Sequence, residues 1–216
     1  MIDYATMDAK TYNRLYARYL RSDPRLLLLE AKLKKGEKVM DLCGGNGRAS
    51  LAALKMGARE VIYVDTSLHL FKTKGRTRIN PHFLDVKSAL SFSWPWVVDV
   101  MICQQAANYW LDQHTVSLIP RNLKNGGRFV FNTFRKKPNP IPRTKEYSIG
   151  NHHYVETSWR IGKVVHHLQV CSGLEPHYTT FKWISPTEFK RFLRPHFSKV
   201  DVLAYGPNTD IYVCWI

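Results

Sequence analysis

The chain has 216 residues, 44% of them hydrophobic and 23% charged, which suits one globular domain and excludes a mainly disordered chain. Thirty-two Lys and Arg against seventeen Asp and Glu leave a net charge of +15, so anionic partners are favoured. Cys43, Cys103, Cys171 and Cys214 form no Cys-x-x-Cys pair, which argues against a disulfide framework or a zinc knuckle and fits a reducing, cytoplasmic setting.

The opening residues MIDYATMD carry acids where a secretory signal would carry a basic patch and an apolar run. The apolar stretches 26–29 and 97–103 fall far short of the roughly 20 residues that cross a bilayer, so no membrane segment is expected. Tyr12, Leu15, Tyr16, Tyr19 and Leu20 follow the spacing of one helix face and predict an amphipathic opening helix. Residues 38–43 (KVMDLC) read as a short strand that runs into Gly44, Gly45 and Gly47. A helix follows over RASLAALKMG and stops at Gly57. Residues 61–65 (VIYVD) read as a second buried strand, with Thr66 or Ser67 placed to cap a helix after it.

The alternation continues with strands at 79–84 and 99–103, a helix over 112–123, and a strand over 128–134 after Gly126 and Gly127. Strands alternating with helices predict an α/β fold with a mostly parallel sheet covered on both faces. The proline-rich residues 136–142 then break the pattern. Three β-like runs follow, at 153–160, 163–171 and 177–183, joined as antiparallel hairpins. Ser185 to Glu188 (SPTE) is a capping box that opens a helix to about Leu193, and strands at 199–205 and 210–215 close the chain as a hairpin. The expected organisation is a single domain over 1–216. It comprises an N-terminal helical segment (1–34), a nucleotide-type core (35–134), a β insertion or lid (135–184), and a terminal helix and hairpin (185–216).

A strand that delivers glycines to a helix N-terminus brings backbone N–H groups and the positive helix end close to a ligand. Asp65, about 20 residues beyond the loop, is placed to accept hydrogen bonds from a ribose diol. Residues 45–50 (GNGRAS) also fit a loose G-x-G-x-x-G/A dinucleotide fingerprint. Asp41 separates the two readings. A carboxylate four residues before Gly45 repels a pyrophosphate and attracts a cation, and S-adenosylmethionine carries both an ammonium and a sulfonium.

On these residues the chain resembles the class I S-adenosylmethionine-dependent methyltransferases. Residues 39–48 (VMDLCGGNGR) are similar to that family's first motif, roughly V-L-D-L-G-C-G-T-G-R, with Cys43 where the family has its first glycine. Asp65 resembles the acidic ribose ligand, and Asp85 in FLDV the carboxylate near the adenine amino group. Asp99 resembles the aspartate that opens the fourth strand, and residues 122–130 (NLKNGGRFV) the approach to the fifth. The resemblance implies an open seven-stranded sheet whose last strand is antiparallel. It implies S-adenosylmethionine as cofactor, held by Asp41, Cys43, Gly44, Gly45, Gly47, Asp65, Thr66, Ser67, Asp85, Val86 and Gln104.

After the fourth strand, residues 104–110 (QQAANYW) lack the D/N-P-P-Y/F tetrad of methyltransferases that act on nucleic-acid amino groups. The Asn108-Tyr109 pair and the β insertion are more similar to enzymes for small metabolites and sugars. The expected acceptor is therefore an O or N atom of a small molecule, with an anionic one favoured by the charge. Tyr12, Tyr16, Asn108 and Tyr109 are candidate substrate contacts, and His114, His152 and His153 are candidate bases. His166, His167 and His177 have no spacing that compels a metal site. The charge keeps nucleic acid open as a partner: residues 114–145 hold eight Lys or Arg and no acid, and Lys72, Lys74, Arg76 and Arg78 form a second cluster. A nucleic-acid methyltransferase and a non-catalytic basic protein on the same fold are the competing readings.

Overall fold

A computed structural model describes residue 4 and residues 6–71, 77–92 and 97–216. Lys72, Lys74 and Arg76 of the second basic cluster lie outside the described residues.

Short apolar runs build the central sheet: β1 (Lys38–Leu42), β2 (Glu60–Asp65), β3 (Ile79–Phe83), β4 (Val98–Cys103), β5 (Leu123–Phe134), then β10 (Lys199–Tyr205) and β11 (Thr209–Trp215) from the end of the chain. Their order is β10-β11-β5-β4-β1-β2-β3, and the strand direction reverses at β11, which pairs antiparallel with both β5 and β10. Because side chains alternate across a strand, the runs in β1, β2 and β4 feed two cores at once. Met40, Leu42, Ile62, Val64 and Met101 pack on one face against α4 (Val86–Ser91), α6 (Gln113–Leu118) and α7 (Pro186–Leu193). Val39, Val61, Tyr63, Val100 and Ile102 pack on the other against α2 (Leu26–Glu30) and α3 (Arg48–Lys55). The strand order turns back between β1 and β4, the place where open α/β sheets bind ligands at their carboxyl ends.

The predicted β insertion is a four-stranded antiparallel sheet, ordered β6 (Arg143–Ile149), β7 (His152–Ile161), β8 (Val164–Cys171), β9 (His177–Lys182). Its inner face receives α1 (Ala9–Leu15) and the turn after it. Leu15, Tyr154 and Cys171 form a small apolar cluster there, the Tyr154 hydroxyl donates to Arg14 O (2.9 Å), and Arg18 pairs with Glu156 (2.8 Å). The N-terminal segment thus connects the four-stranded sheet to the core.

Several elements differ from the sequence reading. The opening helix runs over Ala9–Leu15 with Asp8 as its cap, and Tyr19–Arg21 form a separate 3₁₀ turn. No helix follows Thr66 or Ser67 among the described residues, and the Ser67 backbone N–H donates to Asp65 (2.9 Å). The predicted helix 112–123 stops at Leu118, since Pro120 opens a 3₁₀ turn, and β5 begins at Leu123. α4 and the short α5 (Ala107–Trp110) escaped prediction, as did β6, a strand of charged and polar residues directly after the proline-rich segment.

One buried ion pair joins the layers. Arg128 of β5, 4% exposed, donates to Ala31 O (2.6 Å) and Lys32 O (3.1 Å) at the end of α2 and to both Glu37 carboxylate oxygens (2.8 and 2.6 Å). Removing the guanidinium strands a carboxylate and two carbonyls, so Arg128→Ala is expected to cost about 3–5 kcal/mol. Lys87→Ala at the exposed Asp112 pair should cost under about 1 kcal/mol. Urea unfolding of both variants checks the contrast, and equal losses would refute it.

Candidate active site

Immediately after β1 the backbone turns into the left-handed region at Cys43 (φ 55°), the conformation for which the family motif uses glycine. Holding a side chain there costs on the order of 1–2 kcal/mol. Gly47 N–H donates to Gly44 O (2.9 Å) to close the loop, and α3 starts at Arg48. The loop is pinned from below by Tyr63 of β2, whose hydroxyl donates to Gly45 O (2.6 Å). From above it is covered by Tyr12 of α1. A Cβ added to Gly45 would stand 2.6 Å from the Tyr12 hydroxyl oxygen, so glycine is required there by both its φ of 54° and this contact.

Two carboxylates bracket the loop. Asp41, 1% exposed, accepts from the Ser50 hydroxyl (2.6 Å) and has no cationic partner among the described residues. Burial pushes its carboxyl up to about 7, the Asp65 charge adds to the rise, and the Ser50 hydrogen bond opposes it. Asp65, 3% exposed, accepts from Gly45 N–H (2.9 Å), Ser67 N–H (2.9 Å) and the Tyr4 hydroxyl (3.2 Å). Burial raises it too, against those hydrogen bonds. A shallow open cleft lies over the loop, lined by Asp41, Cys43, Gly44 and Gln104 together with Tyr12, Tyr19, Arg48 and Gln105. The Arg48 guanidinium donates to Leu20 O and Ser22 O, and Gln104 donates to Asp23 O (3.1 Å), which draws the N-terminal segment over the cleft.

The cleft brings together Asp41, Cys43, Gly44 and Gln104 with Tyr12, whereas Gly45 and Gly47, in the same turn, and Asp65, at the end of β2, do not line it. Asp65 is held to the turn by Gly45 N–H and covered by the Tyr4 hydroxyl. Tyr16 stacks on Tyr12 (4.7 Å between ring centres) and hydrogen-bonds His177 Nε2 (2.8 Å). Asn108 is buried with its carbonyl taken by the Thr133 hydroxyl (2.6 Å), while Tyr109 is half exposed. Asp85 stands apart: its carboxylate caps α4 through Ser88 N–H (3.0 Å) and the Ser88 hydroxyl (2.5 Å), and Val86 packs in the core. Thr66 is exposed beside Asp65.

The three candidate histidine bases are not brought to the cleft. His114 lies on the exposed side of α6, His153 faces out beside Glu146 (3.8 Å), and His152 contacts Arg14 (3.4 Å). Their placement follows from α6 packing on α4 and α7, and from β7 sending adjacent side chains to opposite faces. His177, weighed in the sequence only as a metal ligand, is buried and hydrogen-bonds Tyr16, which packs on Tyr12. Tyr4, Tyr19, Tyr63 and Gln105 lie inside segments the sequence reading used, but which of these side chains meets the loop is set by packing. Arg48 stood inside the first motif, where its guanidinium's reach to Leu20 and Ser22 could not be read.

The Asp41 titration gives a stability prediction. The unfolded carboxyl ionises near 4 and the folded one is raised to about 7, so the stability that Asp41 contributes is full below pH 4 and is lost as pH rises through 7. Asp41→Asn removes that loss. Its Tm relative to wild type should climb between pH 4 and 7 and then level off; a difference independent of pH would contradict the assignment.

No family model matches the chain, and no curated protein is similar to it in sequence. Solved structures are similar in fold. An S-adenosylmethionine-dependent methyltransferase from Clostridium acetobutylicum has a TM-score of 0.72 at 13% identity, over 96% of this chain and 97% of that one. CalS10, an amino pentose methyltransferase from Micromonospora echinaspora solved with S-adenosylmethionine, has a TM-score of 0.69 at 13% identity, over 92% and 94%. PH0226 from Pyrococcus horikoshii has a TM-score of 0.66 at 17% identity, over 94% and 97%. The sheet order, the glycine loop after β1, the antiparallel β11 and these likenesses agree: the chain has the fold of the class I S-adenosylmethionine-dependent methyltransferases.

Proposed function

We propose that the protein is an S-adenosylmethionine-dependent methyltransferase whose acceptor is an O or N atom of a small molecule. The observation that carries this reading is a pair of buried carboxylates, Asp41 and Asp65, beside a glycine loop, with no cation paired to either among the described residues. Burying such charge is costly unless it is paired. A ligand that brings a positive charge stabilises the arrangement, and one that brings a pyrophosphate makes it worse. Asp41 is the group for the cofactor ammonium. Asp65 is the group for a ribose hydroxyl, and it already accepts from a hydroxyl, that of Tyr4, which a diol would have to displace.

Bound there, the cofactor supplies a methyl group on a sulfonium. The protein's own contribution is alignment: the glycine loop fixes one end of the ligand, and Tyr12 and the Gln104-Gln105 turn close over it. CalS10 and DhpI, the latter solved with S-adenosylhomocysteine, are similar in fold and support the cofactor reading. The printed acceptor of CalS10, an amino pentose, supports a small-molecule acceptor. The net charge of +15 favours a nucleic-acid acceptor instead, a reading that requires oligonucleotide affinity to fall steeply with salt.

Calorimetry tests the proposal. S-adenosylmethionine should bind at pH 8 and NAD should not. Asp65→Ala should weaken the cofactor by about 1.5–3 kcal/mol, through lost charge-assisted hydrogen bonds. A wild-type protein that binds NAD in preference, or neither ligand, refutes the reading.

A further inference from the structure

Three aromatic rings lie in contact at the carboxyl ends of β4 and β5, outside the cleft. Tyr109 of α5 meets Phe181 of β9 at 5.4 Å between ring centres, tilted by 57°, and Phe134 at the end of β5 stacks on Phe181 at 5.4 Å and 25°. Tyr109 is 50% exposed and Phe134 37%. Scattered exposed apolar side chains need no explanation, but contiguous ones of this size mark a binding surface. The position is informative as well. Tyr109 follows the cleft residues Gln104 and Gln105 by one short turn, so the rings stand beside the place assigned to the cofactor.

The unpaired charges next to Phe134 are positive. Arg135 is neutralised by Asp210 (2.6 Å), whereas Lys136 and Lys137 are exposed and have no carboxylate partner among the described residues. The Lys137 ammonium lies 5.7 Å from the centre of the Trp183 ring, two residues beyond Phe181. The Trp183 indole N–H is buried without a hydrogen-bond partner. Aromatic faces alone would accept a flat ring or a cation. Two unneutralised lysines reject the cation and favour an anion.

Resting on the methyltransferase reading, we propose that Tyr109, Phe181 and Phe134 form the acceptor cradle, and that its occupant is a flat aromatic or heteroaromatic small molecule carrying a carboxylate or phosphate. The ring lies against Phe181 and Phe134, and the anionic group is held by Lys137. Phe181 and Lys137 then determine acceptor specificity, while cofactor binding is independent of both.

The test uses 2-naphthoate as probe, with cyclohexanecarboxylate, 2-naphthylmethylamine and inorganic phosphate as comparisons. Each is titrated into the full chain by NMR, with and without S-adenosylhomocysteine. 2-Naphthoate should bind at least about tenfold more tightly than each comparison. Phe181→Ala and Lys137→Ala should each weaken it several-fold and leave S-adenosylhomocysteine affinity unchanged. Lys137 is exposed, so that variant remains informative even if Phe181→Ala fails to fold. Equal binding of all four probes, no binding of 2-naphthoate, or naphthoate binding indifferent to both substitutions overturns the cradle. Oligothymidylate that binds far more tightly than thymidine 5′-monophosphate, through the same two residues, overturns the small-molecule form. Failure of S-adenosylhomocysteine to bind refutes the methyltransferase reading instead, and the naphthoate titration without it still decides the cradle.

Discussion

Two carboxylates with no counter-charge among the described residues, buried on either side of one glycine loop, set the terms for the rest of the molecule. Asp41 is held by the Ser50 hydroxyl and Asp65 by the Gly45 and Ser67 amides. None of these partners carries a charge, so the folded protein stores an electrostatic cost at this spot. The surrounding structure keeps the carboxylates in place: Tyr63 pins the loop from within the sheet, and Tyr12 and Tyr4 cover it from the N-terminal segment. A site arranged in this way gains most from a cationic ligand, and the loop after β1, next to the reversal of strand order, is where the fold can place one.

The N-terminal segment links this site to the lid sheet. Tyr12 rests on the glycine loop, Tyr16 stacks on Tyr12 and bonds His177 of β9, and Arg18 pairs with Glu156 of β7. Cleft and lid therefore share one short stretch of chain.

What could be read from the sequence follows from how local each signal is. The strand, glycine loop and helix over 38–57 are contiguous, and Asp41 and Asp65 sit at strand ends that apolar runs define; their positions were legible because neighbouring residues alone fix them. The lid hairpin at Ile161 and Gly162 was legible for the same reason. β6 was not, because Arg143–Ile149 is charged and polar and gains its strand conformation only by pairing with β7. The histidines failed differently. His152 and His153 looked suited to catalysis by residue type, but only the packing of the lid on α1 reveals that His177 reaches toward the cleft. The aromatic cradle is still less local, since Tyr109, Phe134 and Phe181 come from three separate elements.

The central claim is that Asp41 waits, partly protonated, for a positive ligand. The direct measurement is the number of protons exchanged when S-adenosylmethionine binds at pH 7, obtained by calorimetry in buffers of different ionisation enthalpy. With the free carboxyl raised to about 7 by burial and lowered again by a bound cation, Asp41 should give up part of a proton on binding, so the wild type should release more protons than Asp41→Asn. Equal exchange in the two proteins, or greater release from the variant, would contradict the account.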